Sequence, residues 1–136
     1  MKVTGGCYCG AVRYEAEGEP LMKAQCHCRQ CQYFTGGAVN VFMAMPEAGF
    51  RYTQGAATAY HRTDLEIPVT REFCPVCGVH VISRRPGFPA AILKVGTLDD
   101  PSQFGMPNVA IHTLDAWPHH HVPEGVMAFE RLPPSR

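Results

Sequence analysis

Apolar positions along this chain recur at every second residue more often than at every third or fourth, in short runs cut by glycine and proline, which is the pattern of half-buried strands. In "AVRYEAEG" (11–18) Val12 and Tyr14 fall on one face and Arg13 on the other, predicting a strand after a turn at Gly10. "LMKAQCHC" (21–28) predicts a second strand. "GGAVNVFMAM" (36–45), where Met43 and Met45 alternate with Phe42 and Ala44 as ordinary β packing, and "GFRYTQG" (49–55) read as hairpin arms around a turn at 46–49. "TAYHRTD" (58–64), "IPVTREFC" (67–74), "GVHVISRRP" (78–86) and "AAILKVGTL" (90–98) continue the series, each ending near a breaker. The last third is less regular: "DDPSQFGMPN" (99–108) is turn-like, "VAIHTL" (109–114) reads as one more strand, and "WPHHHVPEG" (117–125) as a proline-bracketed loop leading to "VMAFERLPP" (126–134). The expectation is a mainly β fold with few short helices, in a single domain over residues 1–136.

Charge and composition narrow the function. Twelve Lys plus Arg balance twelve Asp plus Glu, so there is no chain-wide basic field to attract phosphate backbones, and no nucleic-acid partner is expected. No window is apolar for the roughly 18 residues a membrane helix needs, and "MKVTGGCYCG" lacks the apolar centre of a secretory signal. The expected location is the cytoplasm, with no membrane partner.

Seven cysteines change the picture most. An odd number without an export signal argues for reduced thiols on metal over a disulfide framework, and none stands isolated as a core thiol would. They form three groups: Cys7 and Cys9 in "GGCYCG"; Cys26, Cys28 and Cys31 in "CHCRQC"; and Cys74 and Cys77 in "FCPVCG". In extended chain, residues two apart share a side, so Cys7 with Cys9, and Cys26 with Cys28, can each bite one metal, while Tyr8 and His27 point away. In "CPVCG" the proline stiffens a tight turn and Gly78 permits a positive backbone torsion, the shape of a zinc knuckle; Phe73 before it reads as a core anchor.

Cys7, Cys9, Cys74 and Cys77 complete a tetrahedral four-thiolate set, a structural site for which zinc suits better than iron in a chain with no other redox signature. Cys26, Cys28 and Cys31 are then a three-thiolate group with one position open. The alternative is a site closed by histidine, for which His27, His61, His80 and His112 are all possible ligands.

On "GGCYCGAVRYE", "CHCRQCQ", "REFCPVCGVHV" and the looser "PNVAIHTLDAW", the sequence resembles the glutathione-dependent formaldehyde-activating family, also called the centromere-protein-V-like family. The resemblance implies a β-tent fold of antiparallel sheets, with the structural zinc on Cys7, Cys9, Cys74 and Cys77 and a second, catalytic zinc on Cys26, Cys28 and Cys31. It implies condensation of glutathione with formaldehyde to S-hydroxymethylglutathione, a carbon–sulfur lyase in the reverse sense. Some relatives have non-enzymatic roles, so a zinc module docking a protein partner, or an enzyme acting on another small electrophile, are the alternatives.

The residues themselves fit that chemistry. Three thiolates on zinc carry about one negative charge, a weak Lewis acid but a good partner for one more soft thiolate, which could lose its proton there and attack an aldehyde. Glutathione's carboxylates need cationic partners: Arg29 and Lys23 flank the cluster, while Arg13, Arg51, Arg62, Arg84 and Arg85 are more distant options. Gln32 and the glycines Gly36 and Gly37 are candidate wall residues. His119, His120 and His121 read as a solvated loop, and Trp117 as an amphipathic cover over the core. Oligomeric state is not legible at this level.

Overall fold

The computed structural model describes residues 1–134 of the chain, and it begins with a strand that the alternation left out. β1 (Lys2–Gly6) buries Val3 and Gly5 and exposes Lys2 and Thr4. Its two glycines carry no side chain to mark a face, which hid it. Gly5 is required there, because a Cβ would lie 2.3 Å from the Thr97 carbonyl oxygen and 2.5 Å from the Tyr14 hydroxyl. β1 pairs antiparallel with β2 (Arg13–Glu17), whose Tyr14 and Ala16 are buried on the same side.

The hairpin expected between 36–45 and 49–55 does not form. Both strands exist, β4 (Asn40–Pro46) and β5 (Phe50–Gln54), but a 3-10 turn at Glu47–Gly49 sends β5 to the edge of β2, completing a three-stranded sheet. β4 enters the middle of an eight-stranded sheet instead. Burial explains the split. β4 is covered on both faces, Met43 and Met45 by one core and Phe42 and Ala44 by another, so both its edges need strand partners. β5 is partly to fully exposed along its length and suits an edge.

The large sheet runs, edge to edge, through β11 (Met127–Ala128), β10 (Val109–Ile111), β3 (Met22–Cys26), β4, β9 (Ala90–Lys94), β8 (His80–Arg84), β7 (Thr70–Phe73) and β6 (Thr58–Tyr60). Antiparallel pairing holds from β3 to β6; at the other edge β10 lies parallel to β3 and β11 parallel to β10. The fold is therefore mainly β and built of open sheets, with one α-helix among the described residues, α1 (Arg29–Thr35). That helix was not read from the sequence, since seven residues are too few to show a helical period.

The sheet separates two cores. On one face Val3, Val12, Tyr14, Met43, Met45, Val81, Ile82 and Leu93 pack together with Cys7 and Cys74. On the other, Ala24, Phe42, Ala44, Ala90, Ile92 and Ile111 pack with Cys26 and Cys31. Full burial of one such aliphatic side chain stabilises by about 1.5–3 kcal/mol, so each core also holds its own pair of cysteines in place.

Candidate metal centres

The first cysteine cluster is built from two turns. Residues 7–10 are not extended as the two-residue spacing suggested: they form a tight turn after β1, closed by the Gly10 N–H donating to the Cys7 carbonyl at 3.2 Å. The second turn follows β7, with the Gly78 N–H donating to the Cys74 carbonyl at 2.8 Å. Gly10 and Gly78 sit at φ 83° and 77°, the left-handed region that the expected knuckle demands of the residue after each cysteine pair.

These turns bring the sulfurs of Cys7, Cys9, Cys74 and Cys77 within 4.8 Å of one another. Cys7 to Cys9 is 3.6 Å and Cys9 to Cys74 is 3.7 Å. A tetrahedral zinc with Zn–S near 2.3 Å has S···S edges of about 3.8 Å, whereas a disulfide is about 2.05 Å, so the set matches a metal cage and not a bridge. Backbone N–H groups point at the same sulfurs: Val12 to Cys7 at 3.2 Å, Val76 to Cys74 at 3.3 Å and Cys77 to Cys74 at 3.4 Å. Such donors favour thiolate over thiol, and backbone N–H groups at Val79 and Cys9 hold the Cys77 thiol down to about 6.

The second cluster is built from a strand end and a helix start. Cys26 closes β3, and Cys28 is the N-cap of α1, its sulfur accepting from the Cys31 N–H at 3.3 Å. Cys28 is therefore outside the strand, and the pairing of Cys26 with Cys28 comes from the bend into the helix. One turn on, Cys31 faces inward, its sulfur 3.0 Å from that of Cys28, with the buried Asn40 amide donating to it at 3.5 Å. Hydrogen bonds from Cys26 and Cys28 hold the Cys31 thiol down to about 2, while Cys26 is pushed up by its hydrogen bonds with Cys28 and Cys31 and by burial. One proton leaves this trio easily and the others with difficulty unless a cation replaces them.

Among the described residues no His, Asp, Glu or further Cys joins Cys26, Cys28 and Cys31 as a fourth donor. The four histidines considered are all placed elsewhere. His27 is fully buried, its Nε2 3.0 Å from the Gln25 amide and its Nδ1 3.2 Å from His120. His80 Nε2 lies between the Ile82 carbonyl at 3.0 Å and the Ser83 hydroxyl at 3.1 Å. His61 is exposed. His112 lines the cleft beside the cysteines without joining them. Its φ of 55° makes it the non-glycine residue held in the left-handed region among those described, the kind of strain that collects at functional sites.

All three cysteines open onto a cleft of about 690 Å³ whose walls include Met22, Phe42, Phe88, Ile92 and Ile111. Its polar lining includes Arg29, Asn40, Arg71, Arg85, Lys94, His112 and Asp115. Of the cations considered from sequence, Arg29 and Arg85 line it. Arg13, Arg51, Arg62 and Arg84 do not, and each is held by carboxylates: Arg13 by Asp99, Arg51 by Glu15, Arg62 by Asp64, Arg84 by Glu47 and Glu72. Lys23 sits over the Phe104 ring at 5.4 Å. Arg71 and Lys94 were missed. The available signal was a charge in the otherwise apolar run "AAILKVG" and an arginine three residues before a metal knuckle.

Gln32 is a structural hub more than a wall. Buried in α1, its amide donates to the His27 carbonyl at 2.9 Å and to the Asp115 carbonyl at 3.1 Å, and its Oε1 accepts from Arg29 and from the Trp117 indole at 3.0 Å. Trp117 is thus half exposed and tied by its N–H instead of covering a core. The histidine loop is also anchored: His119 and His120 both hydrogen-bond the Gly37 carbonyl, at 3.0 and 2.9 Å, and the His121 carbonyl accepts from Gln25 at 2.7 Å. The loop is solvent-facing at His119 and His121, which are exposed, yet anchored, because the His120 ring and the His121 carbonyl supply further partners to buried His27 and Gln25.

Comparison with known proteins finds a family and a fold relative. The family model for the glutathione-dependent formaldehyde-activating enzyme matches residues 2–115, a span that holds all seven cysteines. The crystal structure of a Rhodobacter sphaeroides protein superposes with a TM-score of 0.59 at 25% sequence identity, covering 79% of this chain and 97% of that one.

Proposed function

The chain belongs to the glutathione-dependent formaldehyde-activating family, and from that membership we propose that it is a zinc-dependent carbon–sulfur lyase that joins a thiol, glutathione, to a small aldehyde in the Cys26–Cys28–Cys31 cleft. The single observation that supports this most is the three-sulfur set opening onto a cavity, with no fourth protein donor among the described residues. A site built only for structure fills all four positions, as the Cys7, Cys9, Cys74 and Cys77 set can do.

Cys26, Cys28 and Cys31 would hold the zinc, which when bound supplies a positive centre that stabilises an incoming sulfur as thiolate. The chain's own groups do the rest. Asn40 steadies Cys31 through its amide, and the α1 N-terminus fixes Cys28 as its cap. Phe42, Phe88, Ile92 and Ile111 exclude water from one side of the cleft, which strengthens charge interactions inside it. The balance is simple: one S–C bond forms, the thiol loses a proton, and the carbonyl oxygen takes one to become a hydroxyl. No oxidant or reductant is needed.

Adduct formation from glutathione and formaldehyde by the zinc-loaded protein tests this reading, set against a protein-free control because thiols add to formaldehyde unaided. Cys28→Ser and Cys31→Ser are expected to fall to the control rate. Equal rates for all three proteins and the control would sink it. Cobalt substitution separates the enzyme from a docking module: added glutathione should perturb the cobalt spectrum at an open site and leave a closed one unchanged.

A further inference from the structure

Burying a cation is costly unless an anion faces it. Arg13, Arg51, Arg62 and Arg84 each have a carboxylate, but among the described residues no carboxylate pairs with Arg71 or Lys94. Arg71 is only 6% exposed. Its guanidinium lies 4.2 Å over the Phe34 ring and gives one hydrogen bond, to Gln30 Oε1 at 3.2 Å, which leaves most of its five N–H donors free. Lys94, half-buried at the end of β9, has its ammonium 5.9 Å from the Phe42 ring centroid.

Both cations line the cysteine cleft, and both also line an adjoining cavity of about 730 Å³ walled by Tyr33, Phe34, His80 and Thr97. The thiolates account for part of this charge. Three thiolates on a divalent metal leave about one negative charge, and the pair supplies two positive ones, so positive charge is in surplus before any ligand enters. Arg71 keeps an open planar fork of the kind that matches a carboxylate in two-point contact.

We propose that Arg71 and Lys94 form a carboxylate subsite that selects a thiol substrate bearing an acidic group, the remainder of which extends into the second cavity. This rests on the thiol–aldehyde reading above for its substrate and on the unpaired cations for its position. Neutral thiols of similar reactivity would then be poor substrates.

The test uses a ligand that cannot bind through sulfur. S-methylglutathione, titrated calorimetrically into the full zinc-loaded chain, is expected to bind wild type and to weaken roughly tenfold or more for Arg71→Met and for Lys94→Met. Arg71→Lys should recover part of the loss. Zinc content and circular dichroism check that each variant is folded, and Lys94→Met carries the test alone if Arg71→Met does not fold. Unchanged binding in folded variants, or no binding by wild type, overturns the proposal. So does a result in which glutathione and 2-mercaptoethanol lose turnover by the same factor, since that assigns the pair to balancing thiolates. Absence of catalysis with variant-sensitive S-methylglutathione binding overturns the thiol–aldehyde reading and supports the subsite.

Discussion

The Cys7, Cys9, Cys74 and Cys77 cluster hangs between two turns at the ends of β1 and β7, while Cys26, Cys28 and Cys31 straddle the junction of β3 with α1. Both present sulfur, on opposite faces of the same sheet. The turn-borne cluster closes on itself, with backbone N–H groups aimed at its sulfurs and ligands about 65 positions apart, so it ties the small sheet to the large one. The strand–helix cluster has three donors and a cleft lined by four cations, Arg29, Arg71, Arg85 and Lys94, none of which pairs with a carboxylate among the described residues. Ligand number and surroundings, more than ligand type, divide structural from chemical duty.

Removing one thiol from each cluster should break this comparison most sharply. Cys74→Ser removes the fully buried member of a four-sulfur set that spans the chain, and a structural metal of this kind is worth about 10 kcal/mol, comparable with the whole stability of a domain. Thermal melts followed by circular dichroism should show no cooperative transition. Cys28→Ser should melt within about 1 kcal/mol of wild type, because serine is itself a good N-cap and keeps the bond to the Cys31 N–H. Equal losses would erase the distinction.

Graded chelation is the next largest effect. Wild type is expected to carry two zincs per chain and to release one readily, with its fold intact, and the second only as it unfolds. Elemental analysis alongside circular dichroism reads both steps; simultaneous release would contradict a difference between the sites.

A smaller change sharpens the same contrast. Gln32→Ala should cost roughly 1–3 kcal/mol, because the carbonyls of buried His27 and half-buried Asp115 lose their donor. Its effect should fall on the releasable zinc and spare the other. A variant that loosens both metals equally would show that the two halves are mechanically coupled.

The smallest effect is one of pH. Burial, helped by the positive charges of Lys94 and Arg71, holds His80 down to about 3 from the ordinary 6.5. The folded state therefore prefers neutral imidazole, so His80's contribution is complete above about 6.5 and is lost as pH falls toward 3. The stability difference between wild type and His80→Gln should shrink across that window in urea titrations. A constant difference would mean that His80 does not titrate with folding.

Much of this was legible from residue order. Period-two alternation located β2, β3, β4, β7, β8 and β9 near their observed positions, and cysteine spacing alone divided seven thiols into the two sets that the fold assembles. Spacing was less informative about conformation: Cys7 and Cys9 share a metal face because of a turn, and Cys28 because it caps a helix, where a strand had been expected. The anchoring of the histidine loop was not legible because its partners, Gln25 and Gly37, are remote in sequence.

The chain by itself determined its secondary-structure type, its family and the grouping of its donors, because alternation and ligand spacing are local properties written within a few residues. Only the tertiary structure decided that β4 and β5 part company, that His27 is spent on His120, and that Arg71 and Lys94 stand together by the open cluster. Those outcomes depend on which strands share an edge and which charges lack a partner, and both are settled by contacts between residues far apart in the chain.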